Sequence, residues 1–304
     1  MKYFFIINGR REKTANYELM ERQIDNAKSY LERRGDSMEV YWTTGVGDGT
    51  RKVRIYSDLH PDEKVCFIAC GGDRTIGEVA SGLVGFCGKS MAVYKFGETG
   101  NDFIKSFPGY DFQDVQAIFD GEERMIDIMK INDSYAINVG NVGFEAAVGR
   151  SANELIETGK KNPYIWGIFR AVLTSRYNRI SVVADGEKLG GKKLLGCTFG
   201  NGKYVGDGFC CTPRAEMDDG LIDVCLVKPM SLFRFSFLPA YYQKGSHVEN
   251  EHYKNKIVYR KVRHIDIESE KMTELCLDGE MLPGTKFSVD IIPRAINFIL
   301  PHKN

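Results

Sequence analysis

Val65-Cys66-Phe67-Ile68-Ala69-Cys70-Gly71-Gly72-Asp73-Arg74-Thr75-Ile76-Gly77-Glu78-Val79 decides how this chain is read. Val65 to Ala69 is a short apolar run, the pattern of a buried strand. Gly71 and Gly72 allow a tight turn and close approach of backbone to a ligand. Ile76, Val79, Ala80 and Leu83 recur at helical spacing and predict a helix over 75–83. A strand, a glycine turn and a helix N-terminus form an anion site, because N–H groups and the helix dipole face one point. An ordinary βα turn reads the same way, so the stretch alone leaves both readings open.

Working outward, strands are predicted over 3–7, 38–42 and 91–96, and helices over 16–34 and 51–57. Leu19, Ile24, Ala27 and Leu31 lie near one face of the first helix, and Gly35 is a fitting C-cap. Such alternation argues a parallel α/β sheet, which binds ligands at the carboxyl ends of its strands. The pattern changes near Met125. Strand signals follow over 125–131, 135–139, 180–184, 194–199, 221–227, 264–268, 275–277 and 287–292, joined by turns such as Asp185-Gly186. Helices are predicted over 163–175 and 232–243. The expected organisation is a Rossmann-like α/β domain over 1–124, rejoined by about 294–304, and an antiparallel β-sandwich over 125–293.

The 304 residues suit two domains, and 41 basic residues balance 41 acidic ones. That balance gives no sign of a nucleic-acid partner. Most of the eight cysteines sit in apolar strand-like runs and none forms Cys-x-x-Cys, which argues for buried thiols in a reducing cytosol. The apolar part of Met1-Lys2-Tyr3-Phe4-Phe5-Ile6-Ile7 is short for a signal peptide and reads as a first strand. No run is long and apolar enough for a transmembrane helix.

Gly71-Gly72-Asp73-Arg74-Thr75, followed by Glu78, resembles the Gly-Gly-Asp-Gly-Thr nucleotide loop of the diacylglycerol kinase catalytic family, with Arg74 in place of the third glycine. That family includes soluble bacterial lipid kinases and sphingosine kinases, and the NAD kinases carry a related loop. Thr99-Gly100-Asn101-Asp102-Phe103 resembles its Gly-Thr-x-Asn-Asp-Phe motif, with Glu98 where the family has glycine. A helix cap by Asn101 or Asp102 is an equally natural reading. Asn8-Gly9-Arg10-Arg11 resembles the family's Asn-Pro-x-Ser start, and Lys13 and Thr43 fall where it approaches nucleotide. A solvated charge explains Lys13 as well. Leu277-Asp278-Gly279-Glu280 matches the Leu-Asp-Gly-Glu motif, although a type I′ turn with exposed acids has the same spacing.

Pro213-Arg214-Ala215-Glu216-Met217-Asp218-Asp219-Gly220-Leu221-Ile222-Asp223-Val224 is similar to a stretch that holds a structural magnesium in bacterial members. The resemblance implies the carbonyls of Glu216 and Leu221 and the Asp219 carboxylate as ligands; a turn into a strand is the plainer reading. Asn138-Val139-Gly140-Asn141-Val142-Gly143-Phe144-Glu145 fits another family pattern, and Asp127 falls at an acidic position bordering the family's cleft. Tyr164 to Tyr177 and Phe233 to Tyr242 mix aromatics with basic residues. They read first as packed helices with snorkelling ends, and second as lipid contacts.

The resemblance implies a NAD-kinase-like nucleotide domain and an ATP- and Mg2+-dependent lipid kinase acting on diacylglycerol or a similar lipid. ATP would meet Asn8, Lys13, Thr43, Gly71, Gly72, Asp73, Arg74, Thr75, Glu78, Thr99, Asn101 and Asp102. Glu280 would be the base, with Asp278 supporting it and Asp73 organising nucleotide and magnesium or acting as base itself. The lipid acceptor would be met at the membrane surface, by a cytoplasmic protein that is peripheral at the inner membrane and homodimeric as bacterial relatives are. Arg74 keeps alternatives open. If its position needs φ > 0, a side chain there is strained. The chain would then be a kinase with another donor or a soluble acceptor, or a silent lipid- or nucleotide-binding protein.

Overall fold

A computed structural model describes residues 1–9, 15–95, 101–159, 161, 166–168, 170–171, 178–191 and 193–303. The chain divides into two compact units, Met1–Ile126 with Arg294–Asn304, and Asp127–Pro293.

The first unit is built on β1 (Lys2–Ile7), β2 (Ser37–Trp42), β3 (Val65–Cys70) and β4 (Lys89–Val93). They pair in parallel in the order β2-β1-β3-β4. Every residue of β3 and β4 is buried, as expected for a parallel sheet covered on both faces. Helix α1 (Ala15–Arg33) covers one face, where Met20, Ala27 and Leu31 join Tyr3, Phe5, Ile7, Cys66 and Ile68 in one core. Helices α2 (Asp48–Leu59) and α3 (Asp73–Leu83) pair with each other beside the sheet. On this face the Phe4 ring lies 5.0 Å from Tyr56 of α2 and 5.6 Å from Phe67. Gly82 lets the helices approach, since a Cβ there would lie 2.7 Å from the Val53 Cβ. The short α4 (Val115–Phe119) adds Phe119 to the α1 side.

Two helices begin earlier than predicted. Helix α2 starts at Asp48, after a left-handed Gly47, and α3 starts at Asp73. Both extra turns open on a polar residue, which the apolar period does not register. Strand β4 stops at Val93, and Phe96 lies outside the described residues.

The second unit carries β5 (Glu122–Ile131, entering from the first), β6 (Ser134–Ala136), β7 (Val139–Gly143), α5 (Phe144–Glu157), β8 (Ile180–Ala184) and β9 (Glu187–Leu189). Then follow β10 (Gly196–Gly200), β11 (Tyr204–Val205), β12 (Phe209–Cys210), β13 (Ile222–Val227) and α6 (Leu232–Gln243). The chain closes with β14 (Ile257–Val262), β15 (His264–Leu277) and β16 (Glu280–Leu300). Antiparallel pairing runs β14-β13-β10-β7-β15-β16. Strand β15 pairs with β8 through Ile265–Ser269 and with β7 through Leu275–Leu277, and its register shifts between Glu268 and Thr273. A strand that changes partners at an irregularity is how two sheet layers share one core. That core gathers Val142, Phe199, Val224, Ile265, Leu275 and Phe287.

The segment predicted as a strand over 135–139 splits into β6 and β7. The N–H groups of Ile137, Asn138 and Val139 all turn to the Asp278 carboxylate. Backbone donors committed to a side chain cannot extend a ladder. The strands predicted over 264–268 and 275–277 are one strand, and α5 and β14 were not predicted. Of the helix predicted over 163–175, residues 166–168, 170 and 171 are helical and the others lie outside the described residues. Strand β16 crosses back at Arg294 (φ 51°) and pairs its Phe298 in parallel with Met91.

Phe67 is fully buried between Phe4 and Tyr56. Phe67→Ala is therefore expected to cost about 3–5 kcal/mol, read as a lower denaturation midpoint in urea.

Candidate functional site

The strand order places a switch point between β1 and β3: the chain leaves β1 for β2 on one side and returns for β3 on the other. Ligands of open α/β sheets bind in the crevice at such a point. Ile7 pairs with both Trp42 and Cys70, so Asn8, Thr43 and Gly71 leave the sheet along one edge. The turns there are closely packed. A Cβ on Gly9 would lie 1.6 Å from the Thr43 carbonyl oxygen, and Gly9 N–H donates to Thr43 Oγ1 at 3.2 Å. A Cβ on Gly71 would lie 2.3 Å from Thr75 Oγ1, so only glycine fits. Gly72 is the N-cap of α3 and supplies no capping side chain. The first turn of α3 therefore meets its surroundings with backbone N–H groups and the positive end of the dipole, which suits phosphate.

Asp73, the first residue of α3, accepts the N–H of Asp102 and that of Phe103, each at 2.9 Å. Its carboxylate thus ties the glycine loop to the 3₁₀ turn Phe103–Ser106. Asp102 and Asn101 are buried, and Asp102 also receives Lys105 Nζ at 2.7 Å. Glu78, expected at the nucleotide, instead caps α2: its two oxygens accept Gly47 N–H at 2.9 Å and Gly49 N–H at 2.8 Å. Arg74 is the second residue of α3, helical and exposed. The left-handed backbone considered for this position is not there, and with it goes the strain. Lys13 and Thr99 lie outside the described residues.

In the second unit, Asp278 (φ 46°) and Gly279 (φ 87°) form a turn of the I′ kind between paired Leu277 and Glu280. The two acids part company there. Asp278 is buried and accepts Ile137 N–H at 2.7 Å, Val139 N–H at 2.9 Å and Asn138 N–H at 3.2 Å. Burial pushes its carboxyl up to about 6, against the three N–H groups that favour the charged form. Glu280 is exposed. Neither a pair of exposed acids nor a shared carboxylate site describes this turn.

At the turn where Glu216, Leu221 and Asp219 are the implied magnesium ligands, the Asp219 carboxylate already has partners. Asp219 Oδ1 accepts Leu221 N–H at 3.0 Å, and its Oδ2 lies 2.5 Å from Lys261 Nζ. Lys261 stands opposite Asp223 across β13 and β14, with its Nζ 3.6 Å from the buried Asp223 carboxylate. Burial pulls the Lys261 ammonium down, but Asp219 and Asp223 outweigh it and hold it above the ordinary lysine value. Lys261 thus brings a positive charge to this turn. Among the described residues, no three His, Cys, Asp or Glu side chains gather to hold a metal. Asp127, buried, accepts Gly220 N–H at 2.7 Å and fixes the same turn.

Other functional-looking groups lie outside the residues expected at the site. Asp48 is buried, and the Thr44 N–H at 2.8 Å, with Arg51 and Tyr41, holds its carboxyl down to about 2. An acid just after a glycine at a helix start is a signal that could have found it. Glu145, second in α5, has an Oε2 sealed from solvent, and burial pushes it up to about 7. No sequence signal marks Lys261, because strand register brings it opposite Asp223 and so beside Asp219.

The chain matches two family models. Residues 2–131 match the diacylglycerol kinase catalytic domain, and residues 138–300 match the YegS C-terminal NAD kinase beta sandwich-like domain. The chain belongs to the diacylglycerol kinase and YegS-like lipid kinase family. A Bacillus subtilis protein named diacylglycerol kinase is 26% identical over 282 residues, covering 89% of each chain. A Yersinia enterocolitica protein named "Probable lipid kinase YegS-like" is 29% identical over 304 residues, covering 97% of this chain and 96% of its own. A crystal structure of a diacylglycerol kinase from Bacillus anthracis shares the fold, with a TM-score of 0.66 at 18% identity over 98% of this chain and 96% of that one.

If Lys261 is the cation of this turn, the melting temperature is unchanged by EDTA or millimolar magnesium. Lys261→Met leaves buried Asp223 without its ammonium and is expected to cost about 1–3 kcal/mol in denaturant unfolding.

Proposed function

We propose that this chain is an ATP-dependent lipid kinase that phosphorylates the hydroxyl of diacylglycerol or a similar lipid. The observation that carries the reading is the α3 N-terminus, open behind Gly71 and Gly72 at the switch point of the parallel sheet. That arrangement suits a polyphosphate. In this reading the backbone of Gly71, Gly72 and Thr75 cradles the phosphates. Asn8, Thr43, Asn101 and Asp102 line the nucleotide's approach. Asp73 and Glu78 are positioning residues, since their oxygens hold the loops that surround the cradle.

Glu280 is the base. It is exposed, while Asp278 beside it is committed to backbone. The lipid hydroxyl gives its proton to Glu280 as its oxygen attacks the γ-phosphorus, and the bond to the β-phosphate oxygen breaks to release ADP. Magnesium enters only as the ion that accompanies ATP. Arg74 adds charge for a phosphate, and its helical backbone weighs against the altered-donor reading. The acceptor is met at a membrane surface by a peripheral protein.

The test is transfer of label from γ-labelled ATP to lipids in mixed micelles. Wild type should label a lipid, and Glu280→Gln should lower kcat by about 10²-fold or more at an unchanged melting temperature. Asp278→Asn should instead lose about 1–3 kcal/mol of stability, because its amide meets N–H groups with an NH2. Arg74→Gly should raise KM for ATP about 3–10-fold with little change in kcat. A silent wild type that Arg74→Gly rescues would point to another donor.

A further inference from the structure

Helix α6, Leu232-Phe233-Arg234-Phe235-Ser236-Phe237-Leu238-Pro239-Ala240-Tyr241-Tyr242-Gln243, is apolar on both faces. Its inner side is accounted for. Leu238 and Tyr242 are buried at a spacing of one turn, and Phe235 sets its ring 5.0 Å from Phe144. The outer side is where a surface helix is ordinarily polar. Here Phe233 is 77% exposed, Phe237 52% and Leu232 51%. Phe233 and Phe237 stand one turn apart, with ring centroids 5.3 Å from each other. Ala240 and Lys244 continue the same exposed row. Other exposed apolar residues of the unit, such as Met272, stand singly and are ordinary. A helix that is apolar all round is normally buried, so this face calls for a partner.

The charges around it select that partner. From Lys228 to Lys244 the chain carries Lys228, Arg234 and Lys244 and no acidic residue, within a protein whose charges balance overall. Arg234 and Lys244 are exposed at the two ends of the helix. Aromatic residues on the outward face of a helix, with basic ends and no acid, are what lies flat in the headgroup region of an anionic bilayer. No helix among the described residues is long and apolar enough to cross a membrane.

We infer that α6 is the membrane-docking element of this protein: Leu232, Phe233 and Phe237 enter the interface of an anionic lipid bilayer, and Arg234 and Lys244 meet its headgroups. This rests on the lipid-kinase reading above for its purpose, but it can be tested without any kinase assay. It takes up the second of the two readings that the sequence of Phe233 to Tyr242 left open, lipid contact, for the outer face alone.

The test is sedimentation of the full chain with phosphatidylglycerol–phosphatidylcholine vesicles, without ATP, beside vesicles of phosphatidylcholine alone. Wild type should bind the anionic vesicles, and binding should weaken as salt is raised. Phe233→Ser with Phe237→Ser should lower the partition coefficient by at least about 10-fold, given the apolar area each ring removes from water. Arg234→Gln with Lys244→Gln should remove most of the preference for anionic vesicles. All these residues are exposed, and an unchanged melting temperature confirms folding. Wild type that stays in the supernatant overturns the inference, as does a phenylalanine variant that binds equally well. A wild-type dimer that the phenylalanine variant splits, by sedimentation velocity, also overturns it, and would make this face a subunit interface. In detergent micelles no bilayer is needed, so phosphate transfer there reports on the kinase reading separately.

Discussion

Carboxylates that end on backbone N–H groups hold both halves of this protein in shape. Asp73 takes the N–H groups of Asp102 and Phe103, Glu78 takes those of Gly47 and Gly49, and Asp278 takes those of Ile137, Asn138 and Val139. Each is a charge-assisted contact to a group that would otherwise need water. Each also joins segments far apart in sequence, about 30 residues for Asp73 and Glu78 and about 140 for Asp278. Without them the strand-end loops would have no common frame. The glycines depend on the same frame, because Gly71 and Gly49 are required only once Thr75 and Glu78 are in place.

This gives motif acids a different meaning from the one that spacing suggests. Asp73 and Glu78 lie beside the glycine loop, and their carboxylates accept backbone N–H groups of neighbouring segments. The two acids of the Asp278-Gly279-Glu280 turn differ in the same way: Asp278 is buried and shapes the turn, while Glu280 is exposed. Lys261 is a parallel case, where an ammonium stands beside Asp219 and the buried Asp223.

Arg74 shows how backbone conformation decides what a substitution means. At a left-handed position its side chain would carry strain. In the first turn of α3 an arginine sits in ordinary helical backbone, close to where a phosphate would draw on its charge. The departure from the family's glycine is therefore compatible with an intact loop.

Local pattern was enough for much of the fold. The apolar runs of β1, β3 and β13, the helical period of α1 and α3, and the Asp185-Gly186 turn between β8 and β9 all depend on neighbours in sequence, which is where periodicity and turn chemistry act. The glycine loop and the Asp-Gly-Glu turn were legible for the same reason. What the sequence could not state was which partner each polar side chain would meet. The break between β6 and β7, the capping by Glu78, the pairing of Lys261 with Asp219 and the exposed row of α6 each depend on contacts between distant segments. Hydrogen bonding and burial at those positions are set by strand register and helix packing, so only the tertiary structure decided them.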